Sequence, residues 1–156
     1  MIIFSSFMAI KFLSKIEEWK DLSNLASYLI ELDGETWSSS EHYYQFKKFE
    51  ITDLQLAQKI KYASTPKEAK ILSLENSNNH PANWDDIKVD ILKKAVRKKF
   101  ESYDNLRNLL ISTGNEELIE ANPDDYFWGG GADGSGKNMM GKILMEIREN
   151  LKNKEM

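Results

Sequence analysis

Apolar residues crowd the start of the chain. Ile2, Ile3, Phe4, Phe7, Met8 and Ile10 form a run within Met1 to Phe12 that predicts a buried strand. Lys15 to Lys20, polar around Trp19, reads as a loop or turn. Ser23-Asn24 then leads into Leu25, Ala26, Tyr28, Leu29, Ile30, Glu31 and Leu32, a second strand candidate that Asp33-Gly34 ends as a turn. Glu35-Thr36-Trp37 returns as a short strand.

From Trp37 the period becomes helical. With Ser38 as N-cap, Glu41 falls at the third helical position, the capping-box spacing. Glu41, Tyr44, Gln45 and Lys48 then share one face, and His42, Phe46 and Phe49 a neighbouring one. Asp53 to Tyr62 carries Leu54, Leu56, Ala57 and Ile60 at helical spacing. Thr65-Pro66-Lys67-Glu68 is a strong start signal for a helix to about Leu74. Glu75 to Asn83, with His80-Pro81, reads as a loop. Trp84 to Phe100 is the longest helix, with an apolar stripe of Ile87, Ile91, Leu92, Ala95, Val96 and Phe100. Asp104 can cap a helix through Ile111 that Gly114 ends. Glu117 to Ala121 reads as a short strand, and Lys137-Asn138 opens a last helix with Ile143, Leu144, Ile147 and Leu151 inward.

Composition narrows the class. The 156 residues, 41% hydrophobic and 29% charged, suit a single domain over 1–156 with a real core and no repeats. Cysteine is absent, and His42 and His80 are the only histidines, which argues against a metal enzyme. A net charge of −4 gives no bulk attraction to nucleic acid or an anionic membrane. The apolar start lacks a basic n-region and is too short to span a bilayer, so a cytoplasmic protein is expected.

Two stretches carry more chemistry than packing needs. The row Glu41, Tyr44, Gln45, Lys48 sets an acid, a phenol, an amide and an amine beside Trp37. Its plain alternative is a capping glutamate and a solvated lysine. The second stretch runs from Asn122 to Gly136, where Asp125-Tyr126-Phe127-Trp128 precedes five of the eight glycines. A glycine loop feeding a helix start offers backbone amides to an anion. Rings, a carboxylate and such amides suit a base, a sugar and a phosphate. The spacing is neither a P-loop nor a dinucleotide fingerprint, so no cofactor is indicated.

The ordered blocks resemble the NADAR, or YbiA-like, family, associated with NAD and ADP-ribose metabolism. They are Ser23-Asn24, Asp33-Gly34, Trp37, Glu41-His42-Tyr43-Tyr44-Gln45, Lys48-Phe49, Trp84-Asp85, Lys99-Phe100, Thr113-Gly114, Asp125, Trp128-Gly129, Asp133-Gly134, Gly136, Asn138 and Gly141. Two positions depart from the pattern: Leu25 replaces an aromatic residue, and Leu72-Ser73-Leu74 stands where a Gly-Arg pair is common, removing one candidate phosphate contact.

The resemblance implies a compact, mostly helical α+β domain with a small sheet, and an N-glycosidase. Its substrate would be a small N-riboside, such as a phosphorylated riboflavin-pathway intermediate, or an ADP-ribosylated guanine base, free or within nucleic acid. Breaking a C1′–N bond calls for a carboxylate and a proton donor. Glu41 is the preferred carboxylate, with Asp125 and Asp133 behind it. Lys48 is a candidate nucleophile or cation. Asn24, Trp37, Tyr44, Gln45, Trp84, Trp128, Gly129, Asp133, Gly134 and Asn138 are the expected substrate contacts. The competing readings are a non-catalytic ADP-ribose or nucleotide-binding module, and a helical protein that docks a partner on its Lys88 to Lys99 face.

Overall fold

The structure, a computed structural model, describes residues 8–155. These group into two compact units, residues 24–104 and residues 8–23 with 105–155. Most of the apolar start, Met1 to Phe7, lies outside the described residues. The architecture is α+β and mostly helical, with two small ladders in place of one sheet. Among the described residues no helix is long and apolar enough to cross a membrane.

The unit of residues 24–104 opens with a hairpin. Strand β2 (Ile30–Leu32) pairs antiparallel with β3 (Glu35–Trp37), in register Ile30 to Trp37. Asp33 and Gly34 make the turn with φ of 55° and 78°, the left-handed pair that a two-residue hairpin needs. The expected strand from Ser23 shrinks to three residues, because β3 offers only three partners before α1 begins.

Four helices follow: α1 (Ser40–Phe49), α2 (Leu54–Lys61), α3 (Pro66–Glu75) and α4 (Trp84–Ser102). Asp53 and Thr65 cap α2 and α3 through their side chains, as their positions predict. The cap of α1 is Ser39, not Ser38. Its Oγ accepts from the His42 amide at 3.2 Å and donates to His42 Nδ1 at 2.7 Å. His42 Nε2 donates to the Ala63 carbonyl at 3.0 Å, which fixes the ring and selects that serine. The core joins Ile30, Trp37, Tyr43, Phe46 and Phe49 to Leu56, Ala57, Ile60, Ala63, Ala69 and Ala95. Helix α1 crosses the middle of this unit and packs against α2, α3 and α4, so its polar face is enclosed as well as its apolar one.

The other unit pairs β1 (Ile10–Phe12) with β4 (Leu118–Glu120) in parallel. The expected turn around Trp19 is a 3₁₀ helix over Glu17–Leu22, closed inward by Leu22. Helix α5 (Asp104–Ser112) ends before Gly114, whose φ is 66°. Helix α6 (Met139–Lys154) packs on β4. A Cβ at Gly141 would fall on the Leu118 carbonyl oxygen, so this glycine sets the closeness of helix and strand. Buried Arg148 donates to Thr113 Oγ1 and the Glu116 carbonyl, both at 2.9 Å, and so closes the α5–β4 corner.

Candidate active site

Helix α1 carries the site because four of its polar side chains point into the unit. Glu41 is 6% exposed, and each of its oxygens accepts from a side-chain amide. Gln45, one turn on, donates Nε2 to Oε1 at 2.6 Å. Asn24 donates Nδ2 to Oε2. Ser40 in turn donates its hydroxyl to Asn24 Oδ1, which fixes the amide with its donor toward Glu41. With the cap at Ser39, Glu41 stands in the first turn without folding back on the backbone, and the two amides hold it instead. Burial pushes the Glu41 carboxyl above the usual carboxylate range. The Gln45 hydrogen bond, the Lys70 charge, the Asn24 hydrogen bond and the Lys48 charge oppose that rise.

Two turns along, Lys48 reaches Ser73 Oγ of α3 at 3.4 Å, and among the described residues it makes no ion pair. Burial, then the Lys88 ammonium of α4, hold its amine below the usual lysine range, against the pull of Glu41 and Asp85. Tyr44 is buried with its ring 5.3 Å from that of Trp84, tilted by 46°. Gln45 Oε1 is buried with no hydrogen-bond partner. A buried acceptor left open is costly in a finished fold, and this one lies between the acid and the amine.

The structure therefore gathers Glu41, Gln45, Asn24, Lys48, Tyr44 and Trp84 in one unit. Trp37, expected as a contact, is core. It is 1% exposed, donates Nε1 to the Leu32 carbonyl at 3.0 Å, and meets Tyr43 and Phe46 edge-on at 5.2 and 4.9 Å. Serine and lysine positions were missed: Ser40, Lys70, Ser73 and Lys88. Ser40 reads as one of three equivalent cap candidates. Lys70 and Ser73 share a face three residues apart on α3, which is the signal that points to them. Lys88 reads as part of a solvated basic stripe.

The glycine loop is engaged with itself. The amides of Gly130, Gly131 and Gly136 donate to the carbonyls of Glu120, Asp125 and Gly130. Those of Lys137, Asn138, Met139 and Met140 donate to Tyr126, Gly129, Phe127 and Trp128. The amides of Asn138, Met139 and Met140, expected free at the start of α6, are thus already bonded. Asn138, at φ 51°, donates Nδ2 to the Leu118 carbonyl at 2.8 Å and accepts the Glu120 amide on Oδ1 at 3.0 Å, so its side chain buttresses β4. Asp125 Oδ1 accepts the amides of Phe127 and Trp128, and Asp133 Oδ1 that of Ser135. These carboxylates, like Gly129 and Gly134, shape the loop. Trp128 is half-buried with its ring edge-on to Phe127 at 4.8 Å. No group of three or more histidines and carboxylates suited to a metal occurs among the described residues.

Fold and site together define a mostly helical α+β protein built around a sequestered, amide-gripped carboxylate. The chain belongs to the NADAR family, whose domain model matches residues 2–152. It is 39% identical to N-glycosidase YbiA of Escherichia coli over 91% of this chain and 88% of that protein. It is 41% identical to a riboflavin biosynthesis protein of Vibrio vulnificus over 83% of this chain and 35% of that protein. The NMR structure of Escherichia coli YbiA superposes with a TM-score of 0.85, at 38% identity, over 96% of this chain and 88% of that one.

Proposed function

We propose that this protein is a hydrolase of N-glycosyl bonds, acting on the N-ribosyl bond of a phosphorylated, nucleotide-like substrate. The observation that carries the reading is Glu41, a buried carboxylate held at both oxygens by amides, with the Lys48 amine two turns along the same helix. The names of the relatives support it.

Cleavage of a C1′–N bond builds positive charge on the ribose and negative charge on the leaving base. Glu41, desolvated and fixed in orientation, stabilises the first or takes a proton from the attacking water. Lys48 offers a second route. Burial and Lys88 favour its neutral form, which can attack C1′ of the ring-opened N-riboside; the C1′–N bond to the base then breaks, the base leaves carrying the proton given up by the amine, and an imine to Lys48 remains. Water then hydrolyses that imine, releases the sugar and regenerates the amine. Asn24 and Ser40 keep Glu41 aimed, and the Tyr44–Trp84 pair walls the site.

The test is release of free base from phosphorylated N-ribosides and from ADP-ribosylated guanosine. Wild type is expected to release base, and Glu41→Gln and Lys48→Ala to lose that release while keeping the melting transition. Binding of ADP-ribose without any base release would overturn the hydrolase reading in favour of a binding module.

A further inference from the structure

Among the described residues, one polar group holds the Lys48 amine. Its Nζ donates to Ser73 Oγ at 3.4 Å and lies 5.6 Å from the centre of the Phe49 ring. Both neighbours are uncharged and sealed from water, Ser73 at 1% and Phe49 at 0% exposed. The charges that act on the amine do so without an ion pair: Glu41 from its own helix, Lys88 and Asp85 from α4. Helices α2 and α3 also pack on α1, yet neither adds a charge to that set; α3 sets the Ser73 hydroxyl there instead.

A lysine that is to attack carbon needs a fixed amine and a free lone pair. Its four-carbon stem otherwise samples many rotamers. A carboxylate at position 73 would fix the amine but hold it as ammonium. An apolar side chain there would leave a half-buried N–H without an acceptor. A hydroxyl does neither. It accepts an N–H from ammonium and amine alike, so the hold outlasts the loss of the proton and the lone pair stays open. At 3.4 Å the bond is weak, so little is given up as the amine moves to carbon. Ser73 is itself placed by the packing of α3 on α1 and not by solvent.

We infer that Ser73 is the positioning residue for Lys48: its hydroxyl, brought by α3, holds the amine of α1 in place for attack on C1′ of the ring-opened riboside. The assignment rests on the imine route, but its hydrogen bond can be read in the substrate-free protein.

Two readouts test it: the Lys48 pKa, from carbon NMR of protein labelled at the lysine ε-carbon, and the pH profile of base release. Ser73→Ala takes from the ammonium its one acceptor, so the Lys48 pKa should fall and the alkaline rise of kcat should move to lower pH. The plateau above that rise should nonetheless drop about tenfold with KM unchanged, because the amine is no longer held. More neutral amine with less turnover is an outcome that a packing role does not produce. Ser73→Thr, which keeps the hydroxyl, should match wild type in both readouts. Leu74→Ala, which trims an exposed neighbour on α3, should change neither. An unchanged Lys48 pKa or an undiminished plateau in Ser73→Ala, or equal losses in Leu74→Ala, would overturn the assignment while base release by wild type stands. A wild type that releases no base rejects the hydrolase reading itself, and the assignment with it. Melting curves confirm that each variant is folded.

Discussion

Gln45 donates Nε2 to Glu41 Oε1 at 2.6 Å, one helical turn away, and its own oxygen is left without a partner. The amide cannot turn over to satisfy that oxygen without setting it against the carboxylate. The arrangement fixes Glu41 in its ionised role, while the burial of the pair works against the charge.

That conflict has a pH signature. The folded-state pKa of Glu41 lies above 4.5, so the fold favours the protonated form relative to the unfolded chain. Its contribution is most stabilising at low pH and is lost as pH rises through the raised value. Glu41→Gln removes the titration. The melting temperature of wild type minus that of Glu41→Gln should therefore fall as pH rises above 4.5. A difference that rises instead would refute the raised pKa. Turnover should drop by about a thousandfold in the same variant.

Lys48 works in the imine route only as the neutral amine. Glu41 faces it from its own helix, Lys88 and Asp85 from α4, and uncharged Ser73 from α3. Its depressed pKa places the alkaline rise of kcat below pH 10.5. Lys88→Met removes a repelling charge, so that rise should move to higher pH. Borohydride added during turnover should trap a covalent adduct on Lys48 in wild type. An unmodified mass after such treatment would leave direct water attack as the route.

Neighbouring serines should behave differently. Ser40 is buried and fixes the Asn24 amide, whereas Ser38 is exposed. Ser40→Ala should lower kcat by about tenfold and cost about 1 kcal/mol of stability. Ser38→Ala should change neither beyond about 0.5 kcal/mol. Steady-state kinetics with thermal melting distinguish the two, and equal effects would remove Ser40 from the positioning network.

Gly141→Ala should reverse the usual helix rule. Alanine normally stabilises a helix interior, but here its methyl meets the Leu118 carbonyl. We expect a loss of about 2 kcal/mol by chemical denaturation. A gain would mean that α6 and β4 can separate at little cost.

Much of this was legible beforehand. The helices followed from apolar spacing and from Asp53 and Thr65 as caps, and Asp33-Gly34 specified the hairpin. The row of Glu41, Tyr44, Gln45 and Lys48 followed from the helical period alone. The α1 cap did not, since Ser38, Ser39 and Ser40 have the same local chemistry and the fixed ring of His42 chooses among them. Lys70 and Ser73 escaped notice because their importance arises from the packing of α3 on α1. The glycine loop misled for a related reason: composition shows amides without their acceptors.

That loop has a consequence for how the chain tolerates change. Glycine is commonly taken as a mark of slack, yet a Cβ at Gly136 would strike the backbone of Gly129 and Gly130. The side chain is missing here to let two stretches touch, and cross-links from both stretches lock the contact. A single inserted residue would throw successive donors out of step with their acceptors, so this glycine-rich passage should resist lengthening more stubbornly than the loop that joins α3 to α4.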